Sequence, residues 1–534
     1  MSTRSYRNMA NATTPQTQPM AGKNQIVNKA GGYAFALDAW KQLDRFLVLG
    51  IEGGTYYKSE QAMALDNLNV LRSCIAEEPK RVVDRIVEYS KGGRTPRNTQ
   101  LVFALAAVAS TANADKDYAR AKISDVCRTG THLFQYVEFC KQFGKLSGPH
   151  WKHVGRWYTQ KSAEKLALQL VKYQQRNNWK HVDVLNMTHA APPTPEHDKL
   201  FGWVVRDSKR TFTKEDEEGY ARLIVAMEKA ASFKGTAEQA AKLVRESRLP
   251  HECIPTNWKN HKEVWEALVE DMPITATLRN LGKLSEVGAM GPFTDTEAAV
   301  IARLTNAEQL TRGRVHPVNV LVAGKMYAQG HGFRGSLKWT PNQRIVEALD
   351  TAFELSFGAI EKAEGNTYLG IDCSGSMSHS IADMPLSCFE AAAAMAMASY
   401  RTANAVAYGF NTQMQELNIT PTMPLSAAVR VLCNCSWGGT DCSMPMIHAM
   451  EAGMKVNTFA VYTDCETWAG RMHPKEALDR YRQKTGINAK LVVCGFTSTN
   501  ITIADPSDVG MLDCVGFDSN IPNIISNFAA DKLY

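Results

Sequence analysis

The sequence is most informative at first in what it lacks. No stretch approaches the ~20 uncharged apolar residues that a membrane span needs, which excludes a membrane-spanning helix. The first 24 residues, MSTRSYRNMANATTPQTQPMAGKN, have no apolar core and so form no secretory signal; residues 1–24 read as a disordered polar tail. There is no C-x-x-C pair, and Cys433 and Cys435 lack partners at zinc-finger spacing, so a zinc module is not indicated. Twelve cysteines are present, eight of them after residue 360 and mostly inside apolar runs. A chain of 534 residues can build its core without disulfides, so these are expected as reduced, buried thiols of a cytoplasmic protein. A fixed repeat period is absent as well.

The charge is uneven. The chain has 60 Lys+Arg and 54 Asp+Glu; residues 361–534 contain 11 and 17 of these, leaving 49 and 37 for residues 1–360. A part with net charge +12 is thus joined to one with net charge −6. Basic excess is the footprint of a polyanion binder, and also of many solvated helix faces.

From about residue 30 to 360 the apolar spacing is helical and strand-like alternation is nearly absent. Segments with this spacing include 67–88, 99–111, 162–176, 218–231, 236–247, 262–272, 297–310 and 317–329, punctuated by turns such as GGRTPRN and APPTPEHD. Modest helices joined by short loops predict paired-helix repeats or a two-layer helical domain over 25–360. Near residue 365 the pattern becomes strand–helix alternation: NTYLGIDCS, a helix in PLSCFEAAAAMAMASYR, ANAVAYGFN, VNTFAVYTDCE, a helix in HPKEALDRYRQKT, then AKLVVCGFTS. Apolar runs with crossover helices predict a doubly wound parallel α/β domain over 361–534, with any ligand at the C-terminal ends of its strands.

Three loops at that rim stand out: Asp372-Cys-Ser374-Gly-Ser376, Gly438-Gly-Thr440-Asp441 and Thr463-Asp464. A hard cation such as Mg²⁺ wants about six oxygen ligands and keeps waters. Ser374, Ser376 and Thr440, backed by Asp372 and Asp464 through water, meet that need and leave one position for an acidic group of a partner. This arrangement resembles the metal-ion-dependent adhesion site of von Willebrand factor A domains. No general base or nucleophile stands beside it, so ligand binding rather than catalysis is expected.

The segment SAEKLALQLVKYQQRNNWKHVDVLNMTH (162–189) holds an apolar stripe (Ala163, Leu166, Ala167, Leu170) and an opposite stripe of Lys165, Gln169, Lys172 and Arg176. Three cations without an interleaved acid call for water or an anion such as a phosphate backbone, with Trp179, His181 and His189 available to bases. A solvated helix face is the plainer reading of the same residues. A second cationic and aromatic patch contains Arg314, His316, His331, Arg334, Lys338 and Trp339, which suits single-stranded nucleic acid or an interdomain contact equally.

At this level the sequence resembles the TROVE-domain Ro autoantigen family. The phrases that carry the likeness are FLVLGIEGGTYY, VCRTGTHLFQYVEFCK, LVKYQQRNNW, HKEVWEALVEDMPITATLRNLGKL and HGFRGSLKW, then GGTDCSMPMI, TDCETWAG and TIADPSDVGMLDCVGFD. The resemblance implies a closed ring of HEAT-like α-helical repeats followed by a von Willebrand factor A-like domain, and a monomeric RNA-binding protein that is not an enzyme. It implies that small non-coding Y or Y-like RNAs sit on the outer surface and that single-stranded 3′ ends of misfolded RNAs enter the central hole. The family's outer site has a Lys and an Arg one helical turn apart and a downstream His, matching Lys172, Arg176 and His189. Bacterial members are thought to link such an RNA to an exoribonuclease, which implies an adaptor in RNA decay. The competing expectation is a metal-dependent module that docks an acidic residue of a protein partner.

Overall fold

In the computed structural model, residues 13–50, 60–111, 114–144, 146–332, 336–358, 363–380, 385–433 and 438–532 are described. Helices fill most of the chain between Ala39 and Leu355. Local signals set their ends. Ser162 caps Ala163–Lys172 by accepting from the Lys165 amide, and Thr236 with Gln239 forms a reciprocal capping box on Ala237–Ser247. Two expected helices are each split. The segment 67–88 divides at Pro79, which starts the helix Pro79–Gly92 after Glu60–Glu77 ends. The segment 297–310 divides at Asn306, whose side chain caps Ala307–Arg312.

Helices pack as pairs, among them Thr99–Ser110 on Gly130–Gln142, Ala237–Ser247 on Lys262–Asp271 and Pro317–Ala328 on Gln343–Leu355. Each pair buries apolar stripes that a lone helix leaves wet, so stacking them extends one core. The stack closes on itself. Asn319, on a late helix, donates from Nδ2 to the carbonyl of Pro96 at 3.0 Å, across 223 residues of sequence. The α/β domain seals the same junction: Arg94 Nε lies 3.1 Å from both Asp518 oxygens, and Lys325 pairs with Glu390 at 2.6 Å.

The α/β domain is built on a six-stranded sheet, ordered Met511–Val515, Lys490–Gly495, Thr458–Thr463, Ala363–Asp372, Ala403–Phe410 and Met414–Glu416. The first five run parallel and the last is an antiparallel edge. Central strands such as Thr458–Thr463 are buried along their whole length, as expected where helices cover both faces. None of the ten cysteines whose side chains are described is in a disulfide, and all ten are buried. Among the described residues no helix is long and apolar enough to cross a membrane.

The N-terminal segment departs from expectation. Residues 1–12 of the expected tail lie outside the described residues, but residues 13–24 are packed on the α/β domain. Gln16 is fully buried: its Nε2 donates to Asp441 Oδ1 (2.7 Å) and to the Met472 carbonyl (2.9 Å), while its Oε1 accepts from Thr467 Oγ1 (2.6 Å) and the Gly470 amide (3.1 Å). All four hydrogen-bonding positions of the amide are filled, so a polar residue with no helical or strand signal is held by partners about 450 residues away. Residues 25–36, expected with the helices, instead form a hairpin of Gln25–Val27 and Tyr33–Ala36 that pairs with Ile501–Thr502. The strap therefore belongs to the α/β domain, and the helical part begins at Ala39.

Candidate functional site

The sheet brings the rim loops together as its topology requires. The strand ending at Asp372 lies beside the one ending at Thr463, and Ser374 pairs with Gly438 in a single bridge that seats the Gly438–Asp441 loop next to the first. Asp372 Oδ1 accepts from the Ser374 amide (2.8 Å) and its Oδ2 from Thr463 Oγ1 (2.5 Å). The Ser374 and Ser376 hydroxyls are 3.2 Å apart, and Ser376 is hydrogen-bonded to Asp464, whose Oδ1 also accepts from the Glu466 amide. Thr440 is buried on the neighbouring loop, with its carbonyl accepting from Trp468 and Ala469. Asp372 and Asp464 are almost fully buried, and burial raises both carboxyl pKa values, with the Asp464 charge raising that of Asp372 further. Two carboxylates and three hydroxyls are a hard-oxygen set suited to Mg²⁺; no cluster of three His, Cys, Asp or Glu side chains with metal-holding geometry occurs among the described residues.

The rim also has supports that the motif did not reveal. Thr463 is the hydroxyl that holds Asp372. Asp441 turns away from the rim toward Gln16 and Ser443. Glu466, two residues past Asp464, accepts from the backbone amides of Lys29 and Ala30 in the N-terminal strap. No local pattern in residues 13–36 announces that role, because it depends on partners more than 400 residues away.

The cationic segment is rearranged relative to a single long helix. The helix Ala163–Lys172 stops at Lys172, and Gln175–Arg176 pairs with Trp179–Lys180 in a hairpin. Asn177 and Asn178 have φ of 51° and 62°, the positive values that a two-residue hairpin turn requires and that Asn tolerates. Arg176 is therefore exposed on a strand, not one turn beyond Lys172 on a shared helical face. Lys165 is exposed on the helix, and His189 is exposed at the left-handed cap of the helix His181–Thr188. The stripe is not free of acids: Lys172 Nζ lies 3.3 Å from Glu252, leaving its side chain 15% exposed. Gln169 is used internally, accepting from the Gly130 amide.

Two aromatic candidates are held within the protein. His181 is buried against Phe134 and Trp157, with Nδ1 2.9 Å from the Tyr158 hydroxyl, and burial pushes its pKa down to about 4. Trp179 is half-buried and donates to Glu138. In the second patch His316 is buried and caps a helix, while Arg334 lies outside the described residues.

A closed stack of paired helices, sealed by a parallel α/β domain with a hydroxyl–carboxylate rim, defines a helical-repeat ring carrying a von Willebrand factor A-like domain. The sequence model of the TROVE domain matches residues 26–247 and 234–325, and that of the Ro60 vWA domain matches residues 366–529. The chain is 37% identical to the RNA-binding protein RO60 of Deinococcus radiodurans, over 99% of this chain and 100% of that protein. It is 32% identical to the RNA-binding protein RO60 of Caenorhabditis elegans, over 97% of this chain and 92% of that protein. The crystal structure of the Deinococcus radiodurans RO (RSR) protein superposes with a TM-score of 0.70, covering 93% of this chain and 100% of that one at 37% identity. The chain belongs to the Ro60 family of TROVE-domain proteins.

Proposed function

We propose that this protein is a non-enzymatic RNA-binding scaffold of non-coding RNA quality control or decay, working in the cytoplasm as a monomer. In this reading a small structured Y or Y-like RNA lies on the outer surface across Lys165, Lys172, Arg176 and His189. Single-stranded 3′ ends of misfolded RNA enter the ring, and an exoribonuclease is the partner that acts on them. The observation that carries the reading is full-length similarity to two proteins named as RNA-binding, on a chain whose residues 1–360 have net charge +12. The exposed edge supports it: Arg176 and Lys180 are exposed, and for Lys172 a phosphate competes with one carboxylate at 3.3 Å. The test is binding of a small structured RNA as a function of salt. The logarithm of affinity should fall linearly with the logarithm of salt, with a slope of about −0.9 per phosphate contact on a duplex. An affinity unchanged between low and moderate salt would sink it.

The rim is read as a Mg²⁺ site held by Ser374, Ser376 and Thr440, with Asp372 and Asp464 backing it through water. Bound metal would offset two adjacent buried carboxylates and present a position for an acidic group of a partner. Mg²⁺ at about a hundred times its Kd should stabilise the protein by ~2.7 kcal/mol, seen as a rise in unfolding temperature. The rise should vanish on adding chelator and be absent in Asp372→Ala. If Mg²⁺ moves the wild type and the variant equally, the assignment is wrong.

A further inference from the structure

We propose that the cavity between the helices Ile274–Glu286 and Pro317–Ala328, beside Trp339, binds a nucleoside phosphate. This deepens the RNA reading and rests on it only for the chemistry of the ligand. The cavity has a volume of about 640 Å³, within the ~300–1,000 Å³ typical of small-ligand sites. Lys259, Arg279, Lys283 and Arg314 line it, and among the described residues no Asp or Glu does. Lys283 is paired with Glu286 at 2.6 Å, but Arg279 and Arg314 form no ion pair among the described residues.

A further arginine stands near Arg314, outside the cavity lining. Arg128, reached from the loop before the helix Gly130–Gln142, has a buried Nε with no hydrogen-bond partner. Burial, and then the nearby charge of Arg314, push its pKa down to about 10. Two arginines close together without a carboxylate call for an anion, as each raises the cost of charging the other. Arg314 has φ of +48°, an uncommon conformation for a residue with a side chain, and packs over Gly93. Such strain persists where surrounding structure imposes it, and here it sets a cation at the ring junction.

The other wall suits a base. Trp339 stacks on Tyr327 at 6.1 Å and 19°, donates Nε1 to the Tyr327 carbonyl, and lies over Gly282, where a Cβ would come within 2.6 Å of the indole. The ring is thus fixed in place while remaining only half-buried and lining the cavity beside Val322. A fixed aromatic face next to unpaired arginines recognises a base and its phosphate together, whether on a free nucleotide or at the end of a strand.

The experiment is calorimetric titration of the full chain with adenosine monophosphate, adenosine and inorganic phosphate, each separately. The expected result is saturable one-to-one binding of the nucleotide, with the nucleoside and the phosphate weaker by about tenfold or more. Arg279→Gln and Arg314→Gln should each weaken the nucleotide by about tenfold or more, because a charge-assisted bond is lost. Lys172→Ala/Arg176→Ala should bind the nucleotide like the wild type. A tetranucleotide that binds more tightly than the mononucleotide, through the same two arginines, identifies a strand end as the occupant; equal or weaker binding identifies a free nucleotide. No saturable nucleotide binding, or binding unaltered in both arginine variants, overturns the proposal. Structured RNA is titrated in parallel: if it binds while the nucleotide does not, the cavity assignment alone fails, and if the nucleotide alone binds, the outer-surface reading fails instead.

Discussion

Arg45→Ala is expected to destabilise the protein by about 3–5 kcal/mol, the usual cost of stranding one half of a buried ion pair. Arg45 lies on the helix Ala39–Leu49 with its side chain 0% exposed, and its Nη2 is 2.6 Å from Asp513, itself 2% exposed. Its Nη1 donates to the Ile501 carbonyl at 2.8 Å, and the guanidinium lies over Gly495, where a Cβ would come within 2.4 Å of Nη2. Burial alone would lower the Arg45 pKa, but the Asp513 carboxylate and the Cys465 sulfur beside it raise it, so the group stays charged. Removing the guanidinium leaves Asp513 buried and without its cation. Arg45→Met/Asp513→Leu removes both charges and should recover most of the loss, because a well-packed apolar pair has no desolvation penalty. Thermal and urea unfolding of the three proteins decide it: a single-variant loss below about 1 kcal/mol, or a double variant worse than Arg45→Ala, contradicts the account. The same pair joins the first helix of the ring to the strand Met511–Val515, so ring closure should weaken with it.

The second large effect concerns RNA. Lys172→Ala/Arg176→Ala should weaken binding of a small structured RNA roughly a hundredfold, since each charge-assisted contact contributes about 1.5 kcal/mol or more. The salt slope should also fall by about 2, one for each phosphate contact removed. Two readouts separate this from a folding defect, which changes the active fraction but not the slope. Arg176 is exposed and Lys172 partly so, and an unchanged unfolding temperature is the control. Glu252→Gln offers the opposite sign: relieving Lys172 of its carboxylate should tighten binding, because the RNA phosphate no longer competes for the ammonium. Sequencing the nucleic acid that co-purifies with each protein provides the check in cells. A double variant that retains the same RNA at the same affinity and slope would remove Lys172 and Arg176 from the interface.

How much of this was legible beforehand follows from the range of each interaction. The helices of the ring and the strands at Asp372 and Thr463 could be read because apolar periodicity reports burial within one element. Pro79 and Asn306 each start a new helix, and apolar periodicity alone runs across both breaks because the stripe continues on either side. The hairpin at Asn177–Asn178 was legible in principle, as two adjacent residues that tolerate positive φ. The strand Met511–Val515 and the hairpin at Gln25–Ala36 were too short to show a pattern of their own.

The sequence by itself determined the two-part architecture, the oxygen-rich loops after the strands at Asp372 and Thr463 and the basic excess of residues 1–360, since all three are properties of local spacing and composition; the Gly438–Asp441 loop, expected at a strand end, instead follows the helix Leu425–Cys433. Tertiary structure alone decided which polar groups are used up. It paired Lys172 with Glu252, buried His181 against Tyr158, and placed Gln16 among Asp441, Thr467 and Gly470. It also joined Asn319 to Pro96 and Arg94 to Asp518, closing the ring. The reason is physical: a buried charge or amide must find its partner wherever the closed chain puts one, and no local period records that distance.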